Sequence, residues 1–167
     1  ADFTAALVGQ LVQAGVPAGV EMVVIPPAPY LALAVAQAGG ALAVGGQDVS
    51  AQAKGAYTGE VAASMLVDCG ARYVLVGHSE RRQYHAETSA LVAGKFKAAL
   101  DAGLVPVLCV GETLAEREAG QMEAVIAAQL LPVLELVGAA GLGKGVVAYE
   151  PVWAIGTGVT GSPAQAQ

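Results

Sequence analysis

Five short apolar runs recur along the 167 residues, and the stretches between them are of helix size. That alternation admits few architectures. The runs are Glu21–Ile25, Leu42–Gly46, Tyr73–Val76, Val105–Val110 and Gly145–Tyr149. Apolar runs of this length, without polar alternation, read as parallel strands buried on both faces. Between them the spacing predicts helices at Ala1–Ala14, Tyr30–Ala38, Glu60–Cys69, Thr88–Ala102 and Met122–Val137. Phe3, Leu7 and Leu11 form one stripe of the first helix. Val92, Phe96, Ala99 and Leu100 face inward on the fourth, and Ile126, Leu130 and Val133 on the fifth, which Pro132 is expected to bend. A further helix start is expected at Ser162–Gln167, with Ser162 as N-cap and Pro163 at the first helical position. Strand–helix repeats of this size, with no linker between them, predict an α/β fold in a single domain.

Composition narrows the class of function. Hydrophobic residues make up 55% of the chain and its net charge is −6. An acidic balance argues against nucleic acid and anionic membranes as partners. Met22–Gln47 carries no formal charge and is long enough to span a bilayer, but Pro26, Pro27 and Pro29, then Gly39-Gly40 and Gly45-Gly46, cut it into strand- and helix-sized pieces. Cys69 and Cys109 lie in or beside apolar runs and are expected to be buried, reduced thiols. Together with the absence of a signal-like start, this predicts a cytoplasmic protein. No metal-ligand spacing and no dinucleotide glycine fingerprint appears, so neither metal nor cofactor is expected.

Two segments carry the candidate chemistry. Glu150 ends a predicted strand, where β/α folds place their reactive groups, and Pro151 fixes the exit of the chain. Trp153 and Ile155 follow on a segment too rich in glycine for helix or strand. Gly156 and Gly158 leave backbone free to hinge or to approach an anion. Read alone, Glu150 is better explained as a solvated strand end. His78 leaves another strand and opens a helical turn at Ser79–Arg82. A helix N-terminus disfavours a positive ring, so a neutral imidazole there can donate to a substrate oxygen. Read alone, His78 is better explained as a satisfied side chain between core and surface; His85 has no such setting and is read as surface. Gln47–Thr58 has no apolar period, and loops of that length are usually functional.

The string Ala148–Gly158 (Ala-Tyr-Glu-Pro-Val-Trp-Ala-Ile-Gly-Thr-Gly) resembles the signature of the triosephosphate isomerase family. Gly77–Arg82, Gly55–Glu60 and Val107–Glu112 with Cys109 resemble three further family segments in the same order. The resemblance implies a glycolytic and gluconeogenic isomerase that interconverts dihydroxyacetone phosphate and glyceraldehyde 3-phosphate through an enediol. By the same resemblance, Glu150 is the base and neutral His78 the electrophile. The Gly156 N–H grips the substrate phosphate, while Ile155 and Trp153 belong to the lid. Glu80 orients a catalytic lysine, with Ser79 and Cys109 in support. Gln47, Thr58 and Arg82 brace the face toward a second subunit, so the implied partners are a phosphorylated triose and a homo-oligomer. For Glu80 and Arg82 an ordinary ion pair on a short helix is an equal alternative.

The family's barrel has eight β/α units, and the chain aligns with about its middle two-thirds. The expected fold is therefore a partial barrel of about five parallel strands, lacking the first, seventh and eighth. The family's active-site Asn and Lys fall on the first of those, and its phosphate loops on the last two. Val159-Thr160-Gly161 and Asp48 also stand where Lys-Thr-Ala and Asn are usual. These departures raise two alternatives. One is an impaired or inactive family member that self-associates through its outer strands; the other is a different phosphosugar-binding β/α protein.

Overall fold

The computed structural model describes residues 1–155. The expectations for Gly156, Gly158, Val159–Gly161 and Ser162–Gln167 fall outside the described residues. The elements run α1 (Asp2–Ala14), β1 (Val23–Val24), α2 (Leu31–Ala38), β2 (Ala43–Gly46), α3 (Ala63–Asp68), β3 (Tyr73–Val76), α4 (Ser79–Tyr84), α5 (Ser89–Asp101), β4 (Val105–Val110), α6 (Leu114–Glu118), α7 (Met122–Leu142) and β5 (Val146–Tyr149). The five strands form one parallel sheet in sequence order, β1-β2-β3-β4-β5. The alternation of strands and helices is the one predicted, and the sheet is the partial β/α barrel that the family resemblance implies.

The expected strands at Tyr73–Val76 and Val105–Val110 form over those same residues, because each is paired on both sides. The outer strands differ from expectation. β1 shrinks from Glu21–Ile25 to two residues, and Glu21 instead receives the Tyr73 hydroxyl at 2.7 Å and pairs with Arg72 at 3.3 Å. β5 starts one residue late, at Val146. Val146 and Val147 are each 46% exposed, so the last strand is not the buried one its composition implies. Among the described residues it pairs with β4 alone.

The core lies between sheet and helices and is built on Val8, Leu31, Ala34, Leu66, Val74, Val92, Phe96, Leu108 and Val133. On α1 the buried residue is Val8, with Leu11 and Val12 packed against the core. Phe3 is 79% exposed and Leu7 also faces out. The inward face is thus rotated from the Phe3/Leu7/Leu11 stripe, because contact with α2 selects it, and hydrophobicity alone does not. On α5, Val92, Phe96 and Ala99 are buried as expected. Thr88 caps that helix, its Oγ1 accepting the Leu91 N–H at 3.2 Å.

α3 is shorter than the expected Glu60–Cys69: Ala62 before it is extended, and the Val61 carbonyl accepts the Ser50 N–H at 2.8 Å instead of a helical partner. Cys69 caps the C-terminal end of this helix and is exposed, a correction to the expected burial; Cys109 on β4 is buried. On α7 only Val133 is buried, while Ile126 and Leu130 are packed half-exposed against the core. By length and composition, α7 is the one helix among the described residues that could cross a bilayer. Its backbone departs from helical angles at Gly138 (φ 70°, ψ 172°), not at Pro132. The continuous run therefore ends at Val137, short of the roughly 20 residues a span requires.

Candidate active site

The carboxyl ends of β3, β4 and β5 converge on one side of the sheet. β3 hands on to Gly77, whose φ of +73° turns the chain sharply; a Cβ there would meet Arg82 and Val92 at 2.8 Å. His78 follows as the N-cap of α4. Its Nδ1 accepts the Glu80 N–H at 3.4 Å, and the Glu80 carboxylate stands 3.8 Å from the same nitrogen. With Nδ1 accepting, the proton of a neutral ring sits on Nε2. That nitrogen lies 3.7 Å from Glu150 Oε2. Glu150 itself is held by its N–H, which donates to Val110 O at 2.9 Å as the β4–β5 ladder ends. A carboxylate and an imidazole, each leaving a parallel strand, thus share one open face.

A residue absent from the sequence-level candidates organises the segment around Glu150. Glu112, at the end of β4, has no exposed surface. Its carboxylate accepts the Trp153 indole N–H at 3.0 Å, an Arg117 N–H at 2.9 Å and the Tyr149 hydroxyl at 3.1 Å. Its backbone oxygen accepts the Val152 N–H at 2.9 Å. Burial raises the Glu112 carboxyl, but the Trp153, Arg117 and Tyr149 donors outweigh that and hold it below the usual range. The Arg117 guanidinium also lies 5.1 Å from the centre of the Trp153 ring. Tyr149 and Trp153, which bracket Glu150, are therefore pinned to one buried anion. Gly111 lies against the same segment, where a Cβ would collide with the Glu150 carbonyl oxygen.

The other expected residues fall at varied distances from this centre. Ser79, Arg82, Cys109 and Glu150 line one small crevice with Gly77 and Gly111. Cys109 is pushed up to about 11 by burial and by the Glu150 charge. Arg82 does not pair with Glu80. Its Nε donates to Gly77 O at 2.8 Å and its NH1 to Ser89 Oγ at 3.1 Å, so it braces the turn beneath His78. Burial lowers its pKa, and NH2 is buried with no hydrogen-bond partner. Gln47 donates to Ile25 O at 3.2 Å, and Thr58 is exposed on its loop. Ile155 and Trp153 are half-buried, and the Ile155 N–H donates to Val152 O at 3.2 Å. His78, Gln47, Asp48, Glu80 and Arg81 line a separate cavity of about 280 Å³.

Comparison with known proteins settles the lineage. The family model described as triosephosphate isomerase matches residues 1–167. The chain belongs to the triosephosphate isomerase family. A triosephosphate isomerase of Stenotrophomonas maltophilia (strain K279a) is 68% identical over 99% of this chain and 66% of its own length. That of Xanthomonas campestris pv. campestris (strain 8004) is 62% identical, again over 99% of the chain and 66% of the relative. The chain thus spans about two thirds of the length of the triosephosphate isomerases it matches. The parallel partial barrel agrees with the family's fold.

Proposed function

We propose that these residues carry out the interconversion of dihydroxyacetone phosphate and glyceraldehyde 3-phosphate, with Glu150 as base and neutral His78 as electrophile. The observation that carries this reading is the 3.7 Å approach of His78 Nε2 to Glu150 Oε2 at the ends of parallel strands. Abstraction of a proton beside a carbonyl needs a base on carbon and a donor at the developing oxyanion, both reaching one small molecule. A ring whose Nδ1 accepts from Glu80 N–H presents Nε2–H to that oxygen. Glu150 takes the proton from the carbon bearing the hydroxyl and returns it to the neighbouring carbon, while His78 gives a proton to the former carbonyl oxygen and takes one from the former hydroxyl oxygen. The Glu112 anchor supports the same reading, since it fixes both neighbours of the base while leaving the Glu150 side chain 53% exposed to an incoming substrate. Trp153 and Ile155 belong to the covering segment, Gly156 to the phosphate grip, and the Gln47–Thr58 loop with its Thr58 to a second subunit. In this proposal the 167 residues act as one partial barrel in the cytoplasm.

A second reading is favoured by one observation: among the described residues, no lysine lines the 280 Å³ cavity beside His78 or the small crevice beside Glu150. In that case the chain holds base and electrophile but turns over poorly alone, and it associates with itself through β1 and β5. Incubation with dihydroxyacetone phosphate in D2O, followed by NMR at C1, separates the two. Deuterium incorporation that Glu150→Gln abolishes supports the isomerase. No incorporation by the parent chain, with sedimentation showing an oligomer, supports the second reading; a silent monomer overturns both.

A further inference from the structure

A charged cluster lies beside the site and plays no part in the proposed chemistry. Lys95 on α5, only 3% exposed, donates to both oxygens of Asp48, at 2.8 and 2.9 Å, and to Glu87 Oε1 at 2.6 Å. Arg81 on α4 pairs with Asp48 Oδ2 at 2.9 Å and with Glu87 Oε1 at 2.7 Å. Two carboxylates and two cations thus close a neutral quartet, in which Asp48 is the single member from the Gln47–Thr58 loop. Removing any one member leaves an uncompensated charge in a largely buried place.

The path from this quartet to the site is short. Arg81 sits on the first turn of α4, and its own N–H donates to His78 O at 2.9 Å, with Arg82 N–H reaching the same oxygen at 3.1 Å. Asp48 and Arg81 also line the 280 Å³ cavity onto which His78 opens. We infer that Asp48 is a positioning residue. Through Arg81 it ties the Gln47–Thr58 loop to α4 and thereby sets where the His78 ring stands opposite Glu150. This rests on the proposed role of His78, but its test needs no turnover.

The test compares Asp48→Asn, which keeps shape and removes charge, with Phe96→Leu, a core change on α5 that keeps all four charged side chains. Each is read by the NMR signals of the His78 ring and by exchange of the Arg81 and Arg82 amides. Asp48→Asn is expected to move the His78 signals and speed those amides at least tenfold over any global change, while Phe96→Leu leaves the ring signals in place. Should Asp48→Asn not fold, Arg81→Lys, which keeps the charge and loses the fork, is expected to move the same signals. Unmoved His78 signals, or equal movement in Phe96→Leu, overturn the inference and leave the quartet as fold stabilisation. Failure of the isomerase reading shows separately, as a parent chain that exchanges no deuterium into substrate.

Discussion

Replacing Trp153 with Phe isolates the contact that holds the chain just after Glu150. The substitution keeps an aromatic ring but deletes the indole N–H that donates to Glu112 Oε1 at 3.0 Å. Glu112 has no exposed surface, so water cannot replace the lost donor, whereas Arg117 and Tyr149 still serve the carboxylate. A hydrogen bond to a charged group contributes roughly 1.5–3 kcal/mol. Because Trp153 is half-exposed and two donors remain, the lower part of that range applies, about 1.5–2 kcal/mol. At 1.4 kcal/mol per tenfold, the segment should open roughly 10- to 30-fold more often. Amide exchange reads this directly at Val152, Ala154 and Ile155, whose N–H groups donate to Glu112 O, Pro151 O and Val152 O. The expected result is acceleration at those three amides while the buried turns of α5 hold. Equal rates in variant and parent, or acceleration spread evenly through α5, would refute the claim that Glu112 anchors this segment through the indole.

Lys95→Met should cost roughly 3–5 kcal/mol, because it leaves Asp48 and Glu87 facing Arg81 alone. At about 2–4 °C per kcal/mol, a thermal melt should fall by roughly 6–20 °C, and a drop of a degree or two would contradict the quartet's importance. Burial raises the Glu87 carboxyl, but the Lys95 and Arg81 donors overcome that and hold it below its ordinary 4.5. A carboxyl held lower when folded than when unfolded lends stability above about pH 4.5, lost as pH falls through the folded value. Urea midpoints of Glu87→Gln should therefore vary less with pH on the acid side than those of the parent. Gly111→Ala pushes a Cβ into the Glu150 carbonyl, so it should break the Glu150 N–H bond to Val110 O and expose that amide to rapid exchange. Iodoacetamide at pH 8 should label the exposed Cys69 and spare Cys109, whose thiol is pushed up to about 11; equal labelling would contradict that burial.

The alternation of strands and helices, the two central strands and the placement of His78 and Glu150 at strand ends were all legible in the chain. Each depends on local signals: apolar runs, glycine turns and a proline stop. The role of Glu112 was not legible, because its partners lie between 5 and 41 residues away and meet only when β4 and β5 pair. The Asp48–Lys95 contact joins residues 47 apart, and no periodicity marks it. Arg82 shows the same limit. Beside Glu80 it reads as half of a helical ion pair, yet the packing of α4 beneath Gly77 turns it inward.

By itself the sequence determined that the chain forms parallel strands with covering helices, because hydrophobic period and turn chemistry act within a few residues. Tertiary structure alone decided which charges are buried together, which face of α1 turns inward and how the base segment is held. Those outcomes depend on which distant surfaces come into contact, and desolvation gives each contact its weight only once the neighbours are in place.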